Sequence, residues 1–470
     1  MNARFIKFWN DLQSSYYFIP GLMVLGAILL AALTSYIDKN FDYSGAKNLG
    51  WFYANKADGA RAILTTIAGS MMTVAAVTFS ITMVAVTSAA GQYGPRLIGN
   101  FMRDRANQVT LGTFTSTFVY CLLILRVART GDGADVENAV AEFVPNASLL
   151  VAMTLTLFSV GVMIFFIHHI PETLNVGNIT GQVGRKLRKR INEMFPDNFG
   201  ADSETSTNDH TVDLESYTHE NCHAIKAEAE GYVQAVNEDG IMQWAIDHHA
   251  IVRLQFRPGD FAVKGNTLMQ VWADEAGGKD IDDAALKALL GKYAMGQDRT
   301  EHQNVLFLAD ELVEILARAL SPGINDPFTA INCINWFHSA ISAMEGVTLP
   351  SPFRQDEDGK LRVIAYPVSF ERFVSVICDQ SRPYIATDRN VSIKMLTVLT
   401  ELTAEATHPQ HVEILKGQIQ KLRHATEDKL LSKVEKGELK TRFDQADKMI
   451  ADRAFYDQVV ASEDWGTGRA

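Results

Sequence analysis

Apolar residues crowd the first third of the chain into four long runs, at about 18–37, 62–90, 109–128 and 148–170. Each is long enough to be a helix that crosses a hydrocarbon core of about 30 Å, which takes roughly 20 residues. The first is not a cleavable leader, because three more spans follow it. Pro20 falls in its first turn, where a missing N–H costs little, and Tyr16, Tyr17 and Tyr36 bracket it as interfacial anchors. The second run is longer than a bilayer requires and predicts a helix that tilts or extends past the lipid. Mid-span Asp, Glu and Lys are absent, so no buried proton relay is expected. Arg126, near the end of the third run, is expected to snorkel outward beside Arg129.

Beyond residue 170 the period changes. Residues 196–220 are rich in Asp, Ser, Thr and Asn and read as a linker. Residues 225–228, 231–237, 250–256 and 261–271 read as strands, with a short helix at 239–248 and a turn at 257–260. Helical periodicity then dominates, at 282–293, 303–320, 329–344 and across 371–460. Between the middle pair lies a sharp break at 321–327, where Asn325 or Asp326 is positioned to cap the next helix and Pro327 fits its first turn. The fold class is therefore an α-helical membrane protein with four transmembrane helices and a cytoplasmic α+β region. The expected division is a transmembrane domain at 1–170, a connector at 171–220, a β-rich module at 221–275 and a helical domain at 276–470.

Composition refines this picture only slightly. The 470 residues are 47% hydrophobic and 21% charged, an average that hides two unlike parts. The net charge of −12 argues against a nucleic-acid partner, which would need a basic face. Cys121, Cys222, Cys333 and Cys378 form no CxxC pair, which fits a reduced compartment and neither a disulfide framework nor a zinc site. No metal and no cofactor is expected. Arg96, Arg103 and Arg105 between spans two and three, and Arg185, Lys186, Arg188, Lys189 and Arg190 after span four, assign those segments to the cytoplasm. Both termini are then cytoplasmic. Lys39, Lys47, Lys56 and Arg61 oppose this assignment, but acids are interspersed among them.

Three groups of residues stand out as candidate chemistry. Thr66, Ser70, Thr73, Val77, Ser80, Val84 and Thr87 recur at steps of four and three, a single stripe on span two. Such a stripe is either a packing seam of small residues or the lining of a pore. Arg96, Arg103 and Arg105 follow it, either as lipid-surface anchors or as a cationic cytoplasmic mouth that favours anions. The third group, Arg318, Ser321, Asn325 and Asp326, sits at the sharp break. With Asp310, Glu311 and Glu314 it is either an acid–base or cation site or a solvated helix face with a capping loop. His168 and His169 close span four as interfacial caps. Walker, GxSxG, HExxH and Rossmann signatures are absent.

Two resemblances follow. The segments GYV (231–233), PGD (258–260) and VKGNTL (263–268) resemble the barrel-sandwich fold of biotinyl and lipoyl domains and of secretion adaptors. Lys264 does not match the modified lysine, so that resemblance implies a structural or docking module with nothing attached. GSMMTVAAVTFS (69–80), QYGPRL (92–97), NFMRDR (100–105), FIHHI (166–170) and RALSPGINDPFTA (318–330) resemble a bacterial family of predicted membrane proteins defined only as a domain of unknown function. This second resemblance implies an inner-membrane location and brings no settled activity. The expectation is an oligomeric channel-like or transporter-like conduit with a cytoplasmic regulatory domain. The alternatives are a non-conducting sensor or scaffold with a cytoplasmic protein partner and, last, a membrane enzyme.

Overall fold

The computed structural model describes residues 16–40, 56–94, 104–129, 143–195, 222–273, 281–430, 432–462 and 465. They divide into two units. Of the described residues, one unit takes in 16–91 and 104–175, and the other Gln92–Gly94 and those from Val176 onward.

Among the described residues the first unit holds four helices, α1 (Phe18–Asn40), α2 (Ala57–Tyr93), α3 (Arg105–Val127) and α4 (Asn146–Leu174). All four are long and apolar enough to cross a membrane. The closest backbone approaches are α1 with α3, α3 with α4 and α1 with α4. Small residues make these approaches possible, since in lipid large apolar side chains gain nothing by turning inward. On α1 the inward residues are Pro20, Ala27, Ala31 and Thr34, while Leu22, Leu25, Leu29 and Leu33 face out. On α3 a Cβ at Gly112 would lie 2.5 Å from Met23 Sδ and 3.2 Å from Pro20 Cα, so a larger residue would displace the Met23 side chain and press on the α1 backbone. The exposed face of α4 carries Leu157, Phe158, Ile164, Phe165 and Ile167. Helix α4 also runs through Pro171 to Leu174, beyond the expected end of the span at 170. The long α2 joins the apolar cluster through Ala60, Leu64 and Ala68.

In the second unit, α5 (Val176–Met194) is a packed helix where the sequence suggested a connector. Its Ile179, Val183, Leu187 and Ile191 are buried. They pack toward α8 (Val305–Ala319) and α9 (Pro327–Glu345). The strands β1 (His223–Lys226), β2 (Gly231–Val236), β3 (Ala250–Leu254), β4 (Phe261–Ala262) and β5 (Thr267–Ala273), with α6 (Glu238–Asp247), fall close to where the pattern put them. They do not close on themselves. After α7 (Asp283–Leu290), β6 (Tyr293–Gly296) completes a three-stranded sheet of order β4-β2-β6. β7 (Phe353–Gln355) and β8 (Leu361–Ile364) extend a five-stranded sheet of order β1-β5-β3-β8-β7. The β3–β8 pair is parallel, which requires a long crossover, here the helices α7 to α9. One core, with Val233, Ile241, Trp244, Val252, Leu268, Met269 and Val363, serves both sheets.

Five helices end the unit: α10 (Phe370–Ile385), α11 (Arg389–Glu405), α12 (Pro409–Lys429), α13 (Lys433–Ala451) and α14 (Arg453–Ala461). Side chains of Ser369, Asp388, Ser432 and Asp452 accept from backbone N–H groups at four of their starts, satisfying donors that would otherwise be orphaned.

The contact between α5 and α9 is tight. A Cβ on Gly184 would come within 2.2 Å of the Trp336 ring, so the indole lies directly on the α5 backbone. Gly184→Ala is expected to push that ring aside and lower stability by about 1–3 kcal/mol, measured as an earlier thermal transition of the purified protein.

Acid should loosen the join between α9 and α12. Glu345 accepts from the Thr407 N–H at 2.8 Å and from its hydroxyl at 2.9 Å, while His411 stacks on Phe370 with 3.8 Å between ring centroids. Burial alone raises the Glu345 carboxyl, but the Thr407 hydrogen bonds and nearby His408 and His411 outweigh it, and its pKa falls below the ordinary value. Burial, and then the charge of His408, holds His411 below the ordinary histidine value against the pull of Glu345. Both depressed groups contribute stability that is present above their unfolded pKa values and lost as pH falls through the folded ones. The thermal midpoint is therefore expected to drop as pH falls from about 7 to about 4. Glu345→Gln should flatten the lower part of that curve.

Candidate functional site

On α2, Leu64, Ala68, Met71, Ala75, Thr78, Thr82, Val86 and Ala89 are buried, and they step by three and four. The hydroxyl stripe is this pattern displaced by two residues, which on an α-helix is a rotation of about 200°. Thr66, Ser70, Thr73, Ser80 and Thr87 are all exposed accordingly, with Val77 and Val84 among them. The stripe turns away from its own bundle. Three of its hydroxyls are satisfied within the helix: Thr66 donates to the Ala62 carbonyl at 2.8 Å, Thr73 to Gly69 at 3.0 Å and Thr87 to Met83 at 2.8 Å. Such bonds let a hydroxyl face lipid, another helix or water without an orphaned donor.

A further set of buried polar groups lies on α3. Asn107, Gln108, Thr110, Thr113, Thr117 and Tyr120 face inward. Thr117 Oγ1 and Ser159 Oγ are 3.1 Å apart, bonding α3 to α4. The Tyr120 hydroxyl lies 3.0 Å from Thr34 Oγ1 and donates to the Ser148 carbonyl at 3.1 Å.

An aspartate holds each end of this column. Helix α4 begins after Pro145, which has no side chain to cap it. Asp38, at the end of α1, supplies the cap from another helix. It accepts from the N–H groups of Ala147 and Ser148, both at 2.9 Å, and from the Ser148 hydroxyl. At the other end Asp104 caps α3 through the Ala106 N–H at 3.0 Å and meets His169 Nε2 of α4 at 2.7 Å. Phe165 stacks on that histidine at 5.3 Å. Five of these side chains (Thr34, Asp38, Asp104, Tyr120 and Ser148) escaped the sequence reading. The available signal was an acid placed just outside an apolar run, Asp38 after span one and Asp104 before span three. The sequence reads both His168 and His169 as interfacial caps, and the structure gives them different partners. His168 lies on an exposed face beside Glu172 at 3.3 Å, while His169 bonds Asp104.

Of the expected cationic mouth, Arg105 opens α3 and is exposed. Arg96 and Arg103 lie outside the described residues.

The loop from Arg318 to Pro327 spends its polar groups on its own shape. The Ser321 hydroxyl donates to the Arg318 carbonyl at 2.7 Å, and Ser321 O accepts from Asn325 N–H at 2.9 Å. Asn325 takes a left-handed φ of +51°, a region asparagine tolerates better than most residues. The next residue, Asp326, caps α9 through the Thr329 N–H at 3.1 Å. Asp310 is tied to Arg299 at 2.6 Å, and Glu311 is buried. Asp310 and Asp326 are thus given to separate structural tasks. The loop exposes apolar surface instead, at Ile324 and at Phe328, which is 81% exposed. Among the described residues no group of three or more His, Cys, Asp or Glu is arranged to hold a metal ion.

With this geometry in view, a comparison with known protein families identifies the family. The profile of the family described as "Predicted membrane protein (DUF2254)" matches residues 13–401, and the chain belongs to that family. The matched range takes in all four spans, the stripe and the 318–330 loop. "Uncharacterized protein MT1328" of Mycobacterium tuberculosis (strain CDC 1551 / Oshkosh) is 28% identical over 366 residues, 77% of this chain and 67% of the relative. "Uncharacterized protein Mb1321c" of Mycobacterium bovis (strain ATCC BAA-935 / AF2122/97) is similar to the same extent. No solved structure gives a significant match.

Removing the cap that Asp38 lends to α4 should be costly. Asp38→Ala is expected to destabilise the spanning unit by about 1–3 kcal/mol, whereas Asp38→Asn, which keeps one acceptor, should lose less. Thermal unfolding of both variants in one detergent checks the order.

Proposed function

We propose that the protein is a homo-oligomeric conduit of a bacterial inner membrane, with α2 of each copy meeting at the centre and the α+β unit acting on it from the cytoplasm. One observation carries this reading: the hydroxyl stripe of α2 points directly away from the bundle that its own chain builds. The lipid-facing sides of α1 and α4 carry Leu, Ile and Phe. A side rich in Thr and Ser is unlike them and suits close helix contacts or a wet path. The length of α2 also supports the reading, since 37 residues span about 55 Å, well beyond the hydrocarbon core. Arg105 and the basic residues after span four favour cytoplasmic termini. Within this reading the two-sheet module is a docking or regulatory element that carries no cofactor, in keeping with its barrel-sandwich resemblance. No catalytic role is assigned to any residue.

Two measurements test the conduit. Single cysteines at Ser70 or Thr73, in a background where half-buried Cys222 is replaced, should cross-link between copies, while cysteines at Leu25 or Leu29 should not. Purified protein in liposomes should pass ions, and Ser70→Leu with Thr73→Leu should reduce that flux at least about ten-fold, a barrier change of about 1.4 kcal/mol. A folded, cross-linkable protein without flux over a range of ions, voltages and membrane tension would defeat the conduit.

A non-conducting scaffold is the second reading. It is favoured by the exposed Ile324 and Phe328 on a loop whose polar groups are already used. Phe328→Asp should then abolish co-purification of a protein partner.

A further inference from the structure

We propose that the outward face of α5 binds the phosphate of an anionic phospholipid drawn from the membrane that the same chain crosses. The proposal stands apart from the conduit reading and needs only the spans.

Helix α5 has two unlike sides. Its apolar side is committed to α8 and α9, with Ile179, Val183, Leu187 and Ile191 buried. It therefore has no apolar face left to dip into lipid, and charge is what it presents. On the outward side Arg185, Arg188 and Asn192 follow one another at helical spacing, with Lys189 beside them. Together with Glu193 they line an open groove of about 380 Å³.

The two guanidinium groups are held in place. The Arg185 guanidinium carbon sits 5.9 Å from the centre of the Trp336 ring, and Arg188 Nη1 lies 3.5 Å from Ser339 Oγ, both partners on α9. The carboxylate in the groove is already matched: Glu193 lies 3.5 Å from Lys189 and 3.0 Å from Arg190. Lys186, on the flank, lies 3.5 Å from Glu301. What remains is a net positive groove with two forked donors and an amide. Planar guanidinium groups pair with phosphate oxygens two bonds at a time.

Connectivity supplies the argument for a lipid. A single residue, Asn175, separates α4 from α5. At 1.5 Å per residue Arg185 stays within roughly 20 Å of the end of span four, whatever angle the helices make. For basic residues tethered that close to a span, phosphates of the bilayer surface are at far higher local concentration than free anions.

The test uses the full chain in nanodiscs of phosphatidylcholine alone or with added phosphatidylglycerol. Phosphatidylglycerol is expected to raise the thermal midpoint of the native protein. The gain should vanish in Arg185→Gln/Arg188→Gln/Lys189→Gln, whose midpoint in phosphatidylcholine should match the native one. In detergent, titrated phosphatidylglycerol should bind that variant on the order of 100-fold more weakly. Arg185→Lys/Arg188→Lys should retain an intermediate gain. A full gain in the triple variant, no gain for the native protein, or an equal gain from inorganic phosphate overturns the proposal. If the triple variant does not assemble, salt decides on the native protein: a gain that persists at about 1 M salt, where screening reaches about 3 Å, overturns it as well.

Discussion

A bilayer interior offers no water to a stranded hydrogen-bonding group, and the spanning unit is arranged around that constraint. Polar residues of α3 turn inward, and hydroxyls of α1 and α4 meet two of them, Thr34 at Tyr120 and Ser159 at Thr117. Helix ends are the other liability, because their first N–H groups lack intrahelical partners. Asp38 answers that need for α4 and Asp104 for α3, and each also joins a second helix. Once α3 must face inward, the rest follows by geometry. Small residues of α1 come against it, large ones turn outward, and α2 lays one side on the cluster and leaves the opposite side uncovered.

The α+β unit solves a different problem, since burial of large apolar side chains is favourable there. Trp336 pressed on Gly184 fixes how α5 lies on α9, and this decides which side of α5 is left outside. The same packing that takes Ile179, Val183, Leu187 and Ile191 out of solvent aligns Arg185, Arg188 and Asn192 in one open groove. The 318–327 loop is likewise a product of local satisfaction. Its polar groups close a turn and cap a helix, and its apolar side chains remain on the surface.

Much of the fold was legible because its signals are local. Four apolar runs become four helices, since length and hydropathy alone set what can cross a bilayer. Asp326 caps α9 with Pro327 beside it, as the sequence around the break suggests, because capping needs only residues a few positions apart. Strands β1 to β5 were visible in alternation and turn residues. β7 and β8 were not, because their place beside β3 comes from a parallel pairing across about one hundred residues, and short strands carry little periodicity of their own. The candidate site was half legible. The spacing of Thr66, Ser70, Thr73, Ser80 and Thr87 placed them on one side of a helix, but periodicity has no absolute phase with respect to the neighbours.

Sequence by itself determined the membrane class, the four helices long and apolar enough to cross a bilayer, a cap at Asn325 or Asp326 and the family, because each depends on composition or on residues near one another in the chain. Only the tertiary structure decided that the stripe of α2 faces away from its bundle, that Asp38 caps a helix more than one hundred residues away, and that the residues after span four form a packed helix with a basic outer face. Those outcomes depend on which surfaces meet, and that choice is made by close packing and by polar groups finding partners across the fold. A one-dimensional pattern records which residues share a side of a helix, but not what that side will touch.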